Sequence, residues 1–164
     1  MTSLKRCDSG AAAVEFALLV PLFLGLLLGA IQHGIAGMVS ASFDDAVLAA
    51  SRHIRTGQAS GAGGAAAFKA LICEGMFDPP PTCLARLRVN VRPLATFAQA
   101  AAAQDQARPE EDRFVNGGAN AIMLVTATYD WPMFTPFLGD GFTHGPPGTA
   151  RMTAHMLFKN EPFR

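Results

Sequence analysis

The sequence predicts an α+β fold: one long N-terminal helix that first spans a membrane and then packs against a small antiparallel sheet. Three observations predict it. From Phe16 to Ile31 no side chain is polar, and back to Ala11 the run holds one charge, Glu15. Beyond it, Ile35, Val39, Phe43, Ala46, Val47, Ala50 and Ile54 recur at three- and four-residue steps, which is one helical face. Further on, Leu87–Arg92, Ala121–Trp131 and Arg151–Lys159 carry the alternation or the β-rich composition of strands.

Length and charge bound the rest. A chain of 164 residues allows one modest domain plus a membrane segment. Thirteen basic residues balance thirteen acidic ones, so there is no electrostatic case for nucleic acid. Half of the residues are hydrophobic, and the apolar run and the many alanines account for much of that.

The helix comes first. A bilayer core needs roughly 20 apolar residues, and the stretch from Ala11 is about that long. Lys5 and Arg6 precede it, and the next basic residue is Arg52. Basic residues stay on the cytoplasmic side. The N-terminus is therefore expected inside, and everything after about Ile35 outside. Glu15 is the odd residue, because a carboxylate near a bilayer core costs roughly 2.5–3.5 kcal/mol and usually has a function. Position alone also allows a carboxylate that reaches the headgroups and does nothing.

Gly10, four small or aliphatic residues, Glu15, Phe16 and then an apolar helix form a recognisable order. It resembles the processing site of type IV-like prepilins. The fuller string GAAAVEFALLVPLFLGLL is similar to the TadE-like pseudopilins and minor pilins of Tad (Flp) pilus systems. The resemblance covers about residues 4–56 closely. It departs at Cys7, Asp8 and Ser9, where the family often carries more basic residues. It implies a leader over residues 1–10, cut by a prepilin peptidase between Gly10 and Ala11. A transmembrane segment over 11–36 and a periplasmic, pilin-like domain over 37–164 would follow. Glu15, at mature position five, would help place the subunit in the assembly. The implied partners are the inner membrane of a bacterium, the peptidase, other Tad pilins or pseudopilins and the assembly platform. The implied role is non-catalytic, with no cofactor.

Pro21 removes one backbone hydrogen bond inside the apolar helix and is expected to kink it, which membrane helices tolerate. Gly25 and Gly29 form a helix-association spacing of low specificity. Arg52 and Arg55 suit the dipole of the last turn, and Gly57 is the expected C-cap. Asp44 and Asp45 read as solvated helix surface rather than an acid/base dyad.

Residues 57–64 are a flexible break. Gly61, Gly63 and Ala66 formally fit a dinucleotide fingerprint, but a helix and not a strand precedes them. Ala65 to Glu74 reads as a short helix. The cysteines then separate. Cys7 leaves with the implied leader, and Cys73 and Cys83 remain around a Pro-rich loop. In the oxidising compartment expected for this part of the chain, they suggest a disulfide. His33, His53, His144 and His155 are scattered, none at ligand spacing from the cysteines, and no C-x-x-C redox pair is present.

Leu87, Val89 and Val91 alternate with Arg88, Asn90 and Arg92, giving one apolar and one polar face. Thr96–Gln106 reads as helix, and Arg108–Arg113 with Asn116–Gly118 as loop. Met152, Ala154, Met156 and Phe158 share one side of the last strand. Trp131–Gly148 joins the last two strands, and its Phe134, Phe137 and Phe142 either anchor a partner or fold onto the core.

No nucleophile elbow, P-loop, metal helix or kinase motif appears in the sequence. Two other readings compete with the assembly protein. One is a secreted binding domain with an ordinary signal peptide cut near Ala36, although Glu15 and Pro21 fit a signal core poorly. The other is a membrane-anchored periplasmic enzyme, against which stands the lack of a catalytic constellation.

Overall fold

The computed structural model describes residues 8–58, 63–100, 111–134 and 145–162. Helix α1 runs from Asp8 to Arg55, 48 residues, or about 72 Å at 1.5 Å per residue. It continues through Pro21 as one α-helix. Its burial follows the predicted stripe from Val39 on, while Ile35, the first member of that stripe, is exposed because the domain's continuous cover of α1 begins only beyond it. Val39, Phe43, Ala46, Val47, Ala50 and Ile54 are buried, whereas Asp44 and Asp45 are exposed. The helix ends as expected at Gly57, whose φ of 78° is left-handed and costs a glycine little. The Glu161 N–H also donates to the Arg55 carbonyl at 2.9 Å, satisfying one of the acceptors that every helix end leaves over.

Helix α2 (Gly64–Glu74) and helix α3 (Pro80–Arg86) follow. The second is a correction to the Pro-rich loop expected between the cysteines. Proline lacks only an N–H that the first helical turn would leave unpaired, so Pro80 and Pro81 can open a helix rather than prevent one. Four strands complete the domain: β1 (Leu87–Leu94), β2 (Arg113–Phe114), β3 (Ile122–Pro132) and β4 (Thr149–Lys159), in the spatial order β2-β1-β3-β4. The three expected strands pair antiparallel, β1 with β3 and β3 with β4. A difference lies at one edge. Arg113, read as the end of a loop, and Phe114 pair parallel with Asn90 and Val91 and make the sheet mixed. Two residues carry no periodic signal, so only the position of β1 makes them a strand. The expected helix at Thr96–Gln106 begins with a turn in which Gln99 and Ala100 donate back to Thr96 and Phe97. Its remainder lies outside the described residues.

The core lies between the second half of α1, α2 and one face of the sheet. Leu87, Val89 and Val91 of β1 and Met123, Val125, Ala127 and Tyr129 of β3 are fully buried there. Rings of Phe43 and Tyr129 meet at 5.9 Å, which fastens α1 to the central strand. The opposite face of β3, with Leu124, Thr126 and Thr128, is buried as well. Strand β3 runs back along α1. Its start is near the distal end, where the Asn160 N–H donates to the Ala121 carbonyl and Asn160 Nδ2 to Gly117 and Gly118. Its end at Trp131 lies beside Ile35 and Val39.

Candidate functional site

Among the described residues, nothing packs against most of the first half of α1. Val14, Phe16, Leu18, Leu19, Leu22 and Phe23 are all more than 60% exposed, and none of the helix's most apolar 18-residue window is buried. An apolar surface of this extent on every side of a helix is untenable in water. A helix satisfies its own backbone, so hydrocarbon suits it. It is long and apolar enough to cross a membrane once.

Gly10, Ala11 and Glu15 lie in the opening turns and are exposed. A Cβ at Gly10 would meet nothing within 4 Å. Glu15 sits five positions, or about 7.5 Å, further along the axis. No ion pair among the described residues involves it. Lys5, Arg6 and Cys7 lie outside the described residues. Gly25 faces open space. At the end of the apolar run, Gln32 is only 2% exposed, and the His33 ring bonds the Gly29 carbonyl through Nδ1 at 2.8 Å. The burial of Gln32 had no signal in the sequence, since it depends on what folds beside the helix.

Cys73 of α2 and Cys83 of α3 are joined in a disulfide, with Cα atoms 5.8 Å apart and both residues buried. The closed loop is held from two further sides. The Tyr129 hydroxyl donates to Asp78 Oδ2 at 2.7 Å, and Arg86 approaches the same oxygen at 3.7 Å. Gly75 packs on α1, where a Cβ would stand 3.0 Å from that of Ala46. Among the described residues no group of three or more His, Cys, Asp and Glu is placed to hold a metal ion. Phe137 and Phe142 lie outside the described residues, while Phe134 is exposed.

These features define a class: an α+β domain carried on the end of a helix whose other end is capable of crossing a membrane. Residues 10–52, the stretch from the candidate cleavage site to the last turns of α1, match the model of the family described as TadE-like protein. This match falls on the same stretch as the string around Glu15 and supports the TadE-like resemblance there. No curated protein and no solved structure matches the chain.

Proposed function

We propose that this protein is a non-catalytic minor pilin or pseudopilin that supports assembly of a Tad (Flp) pilus, and through it adhesion and surface attachment. Residues 11–36 anchor it in the bacterial inner membrane, with the N-terminus cytoplasmic and residues 37–164 periplasmic. A prepilin peptidase removes residues 1–10. The observation that supports this best is the pairing of a bare apolar helix with Gly10 and Glu15 at prepilin spacing, inside the TadE-like segment.

Cleavage and association use different residues. Cleavage needs Gly10, where a branched side chain does not fit the peptidase. Association needs Glu15. After cleavage Ala11 carries a new ammonium, and the Glu15 carboxylate of one subunit can meet the ammonium of its neighbour. Each charge is expensive alone in a low-dielectric environment, and pairing offsets part of that cost. Pro21, with one rung of the helix missing, provides a bend that helps the subunit leave the bilayer or pack beside others.

Intact mass and partner pull-down test this. The mature protein should begin at Ala11, and Gly10→Val should stay unprocessed. Glu15→Ala should be processed and inserted but should fail to associate with partner pilins. A mature N-terminus near Gly37 would move the protein to the secreted-domain reading. Normal piliation in a fully processed Glu15→Ala strain would end the assembly role of Glu15.

A further inference from the structure

An apolar collar lies along one side of α1 where it enters the domain. Ile35, Met38 and Val39 of α1, Phe77 and Asp78 of the disulfide loop and Trp131 at the end of β3 line an open groove of about 320 Å³. Phe77 is 79% exposed and Met38 66%. Phe134, three positions past Trp131, is exposed at the same end. The exposure of Phe77 is built in. Its loop is closed by Cys73–Cys83, its neighbour Asp78 is bonded to Tyr129, and Gly75 is packed on Ala46. The backbone on either side of Phe77 is thus held, and its ring stands outward.

The level of the collar indicates what covers it. Ile35 closes the span over residues 11–36, and Met38 lies two positions past Ala36, about 3 Å along the axis. A headgroup layer occupies roughly 5–8 Å on each side of the hydrocarbon core. With the span ending at Ala36, the collar stands in that layer. The exposed apolar surface is also continuous, running along α1 through Ile31, Ile35 and Met38 onto Phe77. The one charge among the described residues that line the groove, Asp78, is engaged by Tyr129 and Arg86 and so is not left bare toward lipid. Tryptophan is favoured at this depth, and Trp131, half-buried against the core, lines the groove.

From this we infer that the collar is a membrane-docking surface. Phe77, Met38 and Trp131 enter the interfacial layer of the bilayer that α1 spans, so the domain rests on the membrane instead of standing clear of it. The inference rests on the anchoring of α1 and goes beyond it by fixing the pose of the domain.

The test uses the full chain in proteoliposomes, with phospholipids brominated either near the headgroup or near the chain end. Trp131 is the sole tryptophan, so its fluorescence reports the groove in the unaltered protein. Two companions move the reporter: Phe77→Trp with Trp131→Phe, and Leu22→Trp with Trp131→Phe. Indoles at 131 and 77 should be quenched more by bromine near the headgroup, with blue-shifted emission, and the indole at 22 more by deep bromine. Phe77→Asp should weaken the shallow quenching of Trp131 and leave α1 inserted. A quenched indole at 22 with unquenched ones at 77 and 131 would overturn the docking and keep the anchor. The same pattern with 77 and 131 shielded from iodide would overturn it in favour of a protein partner. Absence of quenching at all three positions would overturn the anchor and the docking together.

Discussion

The Tyr129 hydroxyl donates a 2.7 Å hydrogen bond to Asp78 Oδ2, tying the central strand to the loop closed by Cys73 and Cys83. Burial first, and then the Asp78 carboxylate, push the Tyr129 pKa from 10.0 up to about 12, with Arg86 opposing. The folded state thus favours the neutral phenol. Its contribution is whole below pH 10, where the phenol in the unfolded chain is also neutral, and is lost as pH rises from 10 toward 12. Tyr129→Phe should cost about 1.5–3 kcal/mol by removing a bond to a charged acceptor. It should also flatten the alkaline flank of the stability profile. Denaturant melts of both proteins between neutral and alkaline pH check this.

Cys73→Ala with Cys83→Ala should lower stability by about 2.5–3 kcal/mol, the loop-closure entropy of so short a ring. Alanine leaves no polar group in a site where both residues are buried. Non-reducing peptide mapping of exported protein should recover the two cysteines as one cross-linked species. Equal denaturation midpoints for the parent and the double variant would show that the cross-link does not stabilise.

Lys69 is 8% exposed and its ammonium meets Asp112 Oδ2 at 2.8 Å, while Asp112 Oδ1 accepts the Val89 N–H at 3.0 Å. Asp112→Ala strands both donors. The expected loss is about 2 kcal/mol, below the 3–5 typical of a wholly buried pair because the Asp112 side chain is 31% exposed. Lys69→Met should cost less than Asp112→Ala, since the half-wet carboxylate keeps Val89 and water. Urea titration of the two variants and their combination measures the coupling.

Gly75 brings the end of α2 against α1, and a Cβ there would lie 3.0 Å from the Ala46 Cβ and 3.4 Å from its Cα. Gly75→Val should therefore destabilise by about 1–3 kcal/mol through overpacking. Gly118→Ala, with nothing within 4 Å, is the control and should be near neutral. Thermal melts of the two side by side decide it.

Periodicity made most of the fold legible. The stripe from Val39 to Ile54, the alternation of Leu87, Val89 and Val91 and the turn at Gly57 are local patterns that each repeat or end within one element. The contiguous string from Gly10 to Leu27 made the family legible for the same reason, with the family model matching residues 10–52. The Cys73–Cys83 disulfide was expected from the parity left by an implied leader and from an expected oxidising compartment, and the structure joins the two cysteines. Helix α3 was hidden behind its opening prolines, and β2 behind its brevity, because it exists only as a partner for Asn90 and Val91.

The amino-acid sequence by itself determined where the helix, the three long strands and the bare apolar stretch lie, because hydropathy and backbone preference act between near neighbours. Only the tertiary structure decided that Asp78 faces Tyr129, that Lys69 finds Asp112, and that Phe77 is held outward beside Met38 and Trp131. Those contacts join residues 39 to 54 positions apart, and no spacing along a chain encodes a meeting that depends on how whole elements pack.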